Sequence, residues 1–425
     1  MHIRRLRIQD IRSITNLDVE IPDPRAGWHV ILGDNGSGKS SVIRAMALAL
    51  MGPLDATATR QNWQDWIRKT ASRARVELEV APDAEFDKWK RTGRRAKQPI
   101  TVTVTFPAAG TGANSAAPEI AGRYADRTLW GGGTGWFSAS FGPFRRFSGG
   151  DKDFDRLFYS NPGLARHLSA FGEDVALGEA LRWLQDLQFK RYEKDAAAIR
   201  LLDHLVDFLR QSQLLPHGAR IEEITSGAVV FSDGAGVPLP VEQLSDGFRS
   251  VLSMTFELLR GMVVAYGDST FLDALDAEAG TVNLPGVVAI DEIDAHMHPA
   301  WQKRIGGWLV ERFPKVQFFV TTHSPIICRS AAKGSIWRLP TPGTGEEAHR
   351  IAGQDRDRLV NGSILDAFDT EYFGENVTRS DASHSMMKEL AKLNMKRRRG
   401  PLSADEDQRR RKLQSALPSV SAISE

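Results

Sequence analysis

The stretch Gly33-Asp34-Asn35-Gly36-Ser37-Gly38-Lys39-Ser40 matches G-x-x-x-x-G-K-[ST] in full, and its flanks fit the pattern. Upstream, Trp28-His29-Val30-Ile31-Leu32 is an apolar run of strand length. Downstream, Ser41-Val42-Ile43-Arg44-Ala45-Met46-Ala47-Leu48 reads as a helix halted by Gly52-Pro53. Strand, glycine-rich loop and helix in that order aim consecutive N–H groups at one point, beside the positive end of the helix. The pattern predicts a phosphate cradle made of Gly33, Asn35, Gly36, Ser37, Gly38, Lys39, Ser40 and Ser41. In it Lys39 reaches the β- and γ-phosphates of a nucleoside triphosphate, and the Ser40 hydroxyl serves Mg²⁺.

Three further segments extend the chemistry. The run Gly286-Val287-Val288-Ala289-Ile290 ends in Asp291-Glu292. Two acids at the tip of a buried strand are costly unless a cation sits there. We expect this strand beside the phosphate loop, with Asp291 in the Mg²⁺ shell and Glu292 polarising the attacking water as general base. A third apolar run, Val316-Gln317-Phe318-Phe319-Val320, ends in Thr321-Thr322-His323-Ser324-Pro325, which puts His323 within reach of the γ-phosphate. Finally, Leu244-Ser245-Asp246-Gly247-Phe248-Arg249-Ser250 opens a helix that continues through Val251, Leu252, Met254 and Leu258. Ser245 and Asp246 are expected to cap it and Gly247 to permit close backbone approach. Such a helix start is either a plain cap or an anion site facing another protomer. Asp294 lies where it can reach across a subunit boundary.

Bulk properties bound the alternatives. The chain has 425 residues, 41% hydrophobic and 25% charged, with a net charge of +2, so any nucleic-acid surface has to come from local clustering. The single cysteine, Cys328, excludes internal disulfides and a cysteine-based zinc site and fits a reducing cytoplasm. The N-terminus lacks the apolar core of a signal peptide, and no run approaches the roughly 18 apolar residues of a membrane span. A cytoplasmic protein with no membrane association is expected.

The opening alternates through Ile3, Leu6, Ile8, then Ile14, Leu17, Val19 and Ile21, like an edge hairpin of the phosphate-loop sheet. Strands are expected at 74–80 and 100–106, separated by a basic stretch (Lys88, Lys90, Arg91, Arg94, Arg95, Lys97), with a mobile loop at 107–118. A buried strand, Phe137–Phe141, leads into Gly142-Pro143-Phe144-Arg145-Arg146. From about 172 to 213 the pattern is helical, with Leu177, Leu181, Leu184 and Leu187 on one face, then Ile199, Leu202, Leu205, Val206 and Leu209 on another. Pro216 and Gly218 break it, and strands at 220–224 and 228–231 follow, with a turn at Gly234–Gly236. The tail reads as two helices. Met386, Met387, Leu390 and Leu393 lead to Lys396-Arg397-Arg398-Arg399, and a capping box at Ser403–Glu406 opens a last helix with Arg409-Arg410-Arg411-Lys412. The tail is either a solvated surface or a partner- or DNA-contacting one.

Taken together these residues resemble the ABC-type ATPase heads of the Rad50, SMC and RecF group. Gly33–Ser41 resembles Walker A, Leu244–Ser250 the signature motif, Val287–Glu292 Walker B, Asp294 the D-loop aspartate and His323 the switch histidine. Leu6–Ile14 resembles that group's first hairpin. Within the group, the chain is similar to compact bacterial ATPases of the RecF/OLD-like branch of anti-phage defence, such as those of the Septu and PARIS systems. That likeness rests on Leu244–Ser250, Asp294-Ala295-His296-Met297-His298-Pro299 and Gly142–Arg146. It implies an α/β P-loop NTPase fold, a mixed sheet flanked by helices, with ATP and Mg²⁺ as cofactors. It divides the chain into an ATPase core (1–56 and 220–350), a β/helical insertion (57–219) with a short helical arm, and a helical basic tail (351–425). It also implies an ATP-sandwiched homodimer, or a larger even-numbered assembly, in which Leu244, Ser245, Asp246 and Gly247 act in trans. A separate nuclease or toxin effector is the implied partner.

The chain departs from the group in carrying Asp246 where transporters favour glycine and in lacking a clear Q-loop glutamine, whose region Arg145 or Arg146 would occupy. No heptad run provides a coiled-coil arm. Four readings follow: a defence ATPase restraining an effector, a RecF-like clamp on duplex DNA, a self-contained OLD-type nuclease, and a transporter ATPase. The nuclease reading needs an acidic metal domain after His323, where Asp355-Arg356-Asp357 is a lone match and Asp366, Asp369, Glu371 and Glu375 lack strand-borne spacing. The transporter reading conflicts with the long insertion between Ser41 and Leu244. His296 and His298 read as packing and capping groups, leaving Mg²⁺ as the only expected metal.

Overall fold

A computed structural model describes residues 1–107, 117–130, 133–145, 147, 161–172, 175, 177–211, 219–232, 236–368, 370–373 and 381–417. The chain divides into two compact units, Met1–Val360 and Asn361–Glu425.

Two sheets dominate the first unit. The larger has six strands in the order β16 (His349–Ile351), β15 (Gly334–Arg338), β3 (Gly27–Leu32), β14 (Val316–Thr322), β13 (Gly286–Ile290) and β7 (Ser138–Phe141). All run parallel except β16, which pairs antiparallel with β15. Every residue of β3, β13 and β14 is buried. That explains their near-continuous apolar sequences, since a parallel sheet is covered on both faces. The second sheet is antiparallel, in the order β2 (Ile14–Glu20), β1 (His2–Ile11), β4 (Ala74–Ala81), β5 (Ile100–Phe106) and β6 (Glu119–Gly122). Its strands alternate in burial because only one face meets the core. The helix Lys39–Met51 touches strands of both sheets and buries Val42, Ile43, Met46, Leu48 and Leu50 among them.

The P-loop architecture, a mixed sheet flanked by helices, agrees with the expectation. Three local expectations change. The opening hairpin is not an edge of the phosphate-loop sheet: β1 pairs with β2 on one side and with β4 on the other, Leu6 standing opposite both Val19 and Leu78. The alternation of Ala74, Val76, Leu78 and Val80 matches that of Ile3, Leu6 and Ile8, so both edges of β1 find a one-faced partner. As a result β4, β5 and β6, from the 57–219 segment, complete a sheet begun at the N-terminus, while β7 from the same segment is the far edge of the phosphate-loop sheet.

The second change concerns the helical pair, which forms at Glu179–Tyr192 and Ala196–Gln211. It does not stand out as an arm. Glu257, on the helix Asp246–Tyr266, accepts a hydrogen bond of 2.8 Å from the Ala180 N–H, and Phe208 meets Phe313 with ring centroids 5.9 Å apart. The buried face of the second helix is Ala198, Leu201, Leu202, Leu205, Phe208 and Leu209, so Ile199 and Val206 sit at its margin. The third change is in strand order and is taken up with the site. Strands β8 (Arg220–Ile224), β9 (Val229–Ser232) and β10 (Pro238–Pro240) make a small antiparallel sheet, and β11 (Leu275–Asp276) pairs with β12 (Thr281–Val282). Most of the 107–118 loop, and Arg146, Pro216, Gly218 and Gly234, lie outside the described residues.

In the second unit, helices Asp381–Arg399 and Ala404–Ala416 form a hairpin. Ser403 and Glu406 make the reciprocal capping box, with the Ser403 hydroxyl accepting from the Glu406 N–H at 3.2 Å. Several of its cations are paired internally: Arg409 with Glu389, Lys396 with Glu406, Arg410 and Arg411 with Asp407. Among the described residues no helix is long and apolar enough to cross a membrane.

Candidate nucleotide site at the strand ends

The phosphate loop leaves the C-terminal end of β3, and its glycines are required by the space they occupy. Gly36 and Gly38 hold φ of 79° and 102°. A Cβ on Gly38 would fall 2.7 Å from Ile14 Cγ1, and one on Gly33 would fall 2.2 Å from Ser37 Oγ. Only residues without a side chain let the loop curl this tightly. Lys39 opens the helix, is 5% exposed, and donates from Nζ to the carbonyls of Gly33 (2.8 Å) and Asp34 (3.0 Å). Burial lowers the pKa of its ammonium, and the nearby charges of Glu292, Asp291 and Asp34 oppose that shift. The Ser37 hydroxyl is buried with no hydrogen-bond partner. A curled loop, a buried ammonium and an orphaned hydroxyl fit a polyphosphate. Asn35 and Gly36 lie exposed at the loop tip, Ser41 is buried and Ser40 half-buried in the first helical turn.

The loop is anchored from behind. Arg338 at the end of β15 donates to Asp34 at 2.8 Å, and Thr341 donates at 2.7 Å. Burial alone would raise the Asp34 carboxyl, but these two donors outweigh it and hold the pKa below its ordinary value.

The order of strand ends differs from the expectation. The strand beside β3 is β14, and β13 with its acids is one further away. The end of β14 therefore sits between the phosphate loop and Asp291-Glu292, and its two threonines organise both sides. Thr321 Oγ1 donates to Asp291 Oδ1 at 2.5 Å and accepts from the Glu292 N–H at 2.7 Å. Thr322 Oγ1 donates to Asp294 and accepts from the Ser324 N–H at 2.9 Å. Both threonines are fully buried. Asp291 is 2% exposed, whereas Glu292 is half-buried with φ of 45°, a left-handed conformation rare for a glutamate. Such outliers persist only where the surroundings over-determine them. His323 projects at the surface next to these groups. Partial burial and the charge of Lys39 lower its pKa, so its imidazole is neutral and able to accept or donate one hydrogen bond at neutral pH.

The signature segment lies elsewhere on the unit. Ser245 is the N-cap of Asp246–Tyr266, but its side chain makes no cap hydrogen bond, and Asp246 pairs with Arg249 one turn on. The expected capping role is thus not performed in this structure. Gly247 does allow close approach: a Cβ there would lie 2.9 Å from the His296 carbonyl oxygen. Leu244 is 8% exposed. A cavity of about 690 Å³ is lined by Ser245, Asp246, Gly247, Phe248, Met297 and Trp301. Asp294 is turned inward to Thr322. His298 caps the helix Pro299–Arg312, its Nδ1 accepting from the Ala300 N–H at 3.2 Å, as sequence reading supposed.

Sequence reasoning passed over Thr321, Thr322, Arg338 and Thr341. The signal available was a pair of hydroxyls closing a strand otherwise made of buried apolar residues, next to another strand closing in two acids.

The comparisons with known proteins agree with this geometry. A model described as "AAA domain" matches residues 5–114, and one described as "AAA domain, putative AbiEii toxin, Type IV TA system" matches 145–329. An SMC head solved bound to the C-winged helix domain of ScpA superposes with a TM-score of 0.50 at 16% identity, covering 83% of this chain and 98% of that one. The chain has the P-loop ATPase fold of the SMC heads. Septu protein PtuA of Bacillus mycoides is 26% identical over 347 residues, 79% of this chain and 40% of the relative. A retron Ec83 probable ATPase of Escherichia coli is 39% identical over 107 residues, 25% of this chain and 18% of the relative. The chain thus spans well under half of the length of these relatives.

Proposed function

We propose that this chain is an ABC-type ATPase that binds ATP with Mg²⁺ and hydrolyses it slowly, and that two copies face each other across two ATP molecules. Each nucleotide would be held between the Lys39 loop of one protomer and Ser245-Asp246-Gly247 of the other. The observation that carries the reading is the meeting of Lys39, Asp291, Glu292 and His323 at the ends of three neighbouring parallel strands. Ser40 and Asp291 would hold Mg²⁺, which would supply positive charge to offset the negative charge developing on the phosphate. Glu292 would take the proton of the attacking water as general base, with its backbone fixed by Thr321. Neutral His323 would hydrogen-bond the γ-phosphate oxygen and report its presence. The γ-phosphate then acts as interfacial glue, and its loss releases the dimer.

Similarity to Septu and retron ATPases supports a scaffold role in anti-phage defence, with the dimer's nucleotide state holding or licensing a separate nuclease or toxin. The test has two parts. Glu292→Gln incubated with ATP and Mg²⁺ should form a dimer stable in native mass spectrometry while releasing no phosphate; wild-type turnover by this variant would overturn the catalytic assignment. Co-expression with the neighbouring genes should yield a stable complex with a nuclease- or toxin-like protein. A lone dimer that retains duplex DNA only with ATP, in a salt-sensitive manner, would replace the scaffold reading with a RecF-like clamp.

A further inference from the structure

Arg145 is 3% exposed and sits between the two halves of the machinery. Its Nε donates to Ser250 Oγ, one turn inside the signature helix, at 3.0 Å. Its Nη1 donates to the carbonyls of Gly142 and Asp291, each at 2.8 Å, and its Nη2 to those of Glu292 (3.0 Å) and Ile293 (3.3 Å). None of these partners is a carboxylate. A buried guanidinium with no directly bound acid is expensive, and here carbonyl dipoles and the side-chain charges of Asp291, Asp294 and Glu292 compensate it. Desolvation still dominates and lowers its pKa to about 10. The groups that stabilise Arg145 are therefore those of the acidic strand end.

The Glu292 peptide is gripped on both sides. Its N–H goes to Thr321 and its carbonyl to Arg145, which together hold the left-handed backbone at this residue. Lysine would not replace the arginine, because three donors on one nitrogen cannot span carbonyls of three consecutive residues and a hydroxyl on another helix. The signature helix touches the same loop a second time, where Gly247 meets the His296 carbonyl.

We propose that Arg145 is a positioning residue coupling the signature helix to the backbone of Glu292, so that seating of the signature on a partner's triphosphate sets the general base of the same chain. The proposal rests on the ATP-sandwich reading above. Under it, one protomer's signature meets its partner's nucleotide while its own Glu292 serves its own, so the Ser250–Arg145–Glu292 tie links the two sites. The link is a two-state element biased from one end and read at the other.

Ser250→Ala cuts the tie on the helix side and leaves the four carbonyl bonds of Arg145 in place. In the full-length protein it should leave KM for ATP within about twofold, lower kcat at least tenfold and bring the Hill coefficient for ATP down to 1. Hydrogen exchange supplies a readout besides activity. In the wild type, ATP with Mg²⁺ should slow exchange at amides 291–293, and in Ser250→Ala that slowing should vanish while slowing at amides 36–40 persists. Arg145→Lys should repeat the kcat loss. If Ser250→Ala keeps wild-type kcat, cooperativity and ATP-dependent protection at 291–293, the proposal fails. Dimerisation of Glu292→Gln with ATP, measured alongside, separates the two levels: absence of that dimer refutes the sandwich, whereas its presence with an unaltered Ser250→Ala refutes the coupling alone.

Discussion

Thr321→Val tests whether the β14 end positions the acids. Valine has nearly the shape of threonine, so a site with 0% exposure loses a hydroxyl without gaining a cavity. Two bonds go with it: the 2.5 Å bond to the Asp291 carboxylate and the 2.7 Å bond from the Glu292 N–H. A hydrogen bond to a charged group contributes about 1.5–3 kcal/mol, and a buried donor left without an acceptor costs about 1–3 kcal/mol. Taking the lower ends, about 2.5 kcal/mol of positioning is lost, equivalent to a ~70-fold fall in kcat at 1.36 kcal/mol per decade. Phosphate release at saturating ATP measures it, with urea unfolding at pH 7.5 as the stability control. Thr321→Ser keeps the hydroxyl and should stay within about fivefold of wild type, since it removes only a methyl group. If folded Thr321→Val turns over within threefold of wild type, the β14 hydroxyl does not set the acids and the argument is wrong.

Other outcomes follow from the same geometry. Lys39→Ala should abolish ATP binding, measured by fluorescent-nucleotide titration, because the buried ammonium is the one lysine within the loop. Gly38→Ala should weaken ATP binding at least tenfold in the same titration, since φ of 102° and the 2.7 Å approach to Ile14 both disfavour a side chain. Acid should destabilise the fold through His29 and His167, which burial pushes down to about 4 and about 3. Their folded pKa values lie below the unfolded one near 6.5, so the unfolded chain takes up protons the folded chain refuses. Stability is full above pH 6.5 and falls as pH drops through that value, by ~2 kcal/mol per histidine at pH 5. Replacing both by glutamine should narrow the gap between the urea midpoints at pH 7.5 and 5.0, with His2, which burial also pushes down to about 4, retaining part of it.

Legibility of the sequence depended on how local each constraint is. The phosphate loop declares itself because glycine spacing, lysine and hydroxyl all act within one turn of chain. Apolar runs at 28–32, 286–290 and 316–320 declare buried parallel strands because both faces are covered. Which of these strands lies beside β3 depends on a crossover, and nothing in the local residues of β13 or β14 encodes it. The hairpin was legible as a hairpin, but its second partner, β4, is over sixty residues on and advertises only the same alternation as β1. Arg145 shows the limit from the other side. Its position after Gly142-Pro143 marked the region, yet its role depends on Ser250 and on three carbonyls about 146 residues away, a convergence of backbone atoms that no side-chain pattern records.

The location of the threonines then bears on how such a site can switch. β14 lies between the lysine and the acids, and the same two residues hold Asp291, Glu292 and Asp294 while their strand continues into His323. On the proposed reading, a displacement of His323 by a γ-phosphate oxygen would move the end of the strand that holds Asp291, Glu292 and Asp294. The signature helix reaches the same backbone through Arg145 from the opposite side. Glu292 is thus held between the end of β14 and, through Arg145, the helix Asp246–Tyr266. On that reading the first would face its own nucleotide and the second the partner's. In that arrangement the left-handed φ of Glu292 makes sense as the point of contest. A relaxed glutamate would need neither support, whereas a strained one stays poised only while both hold it.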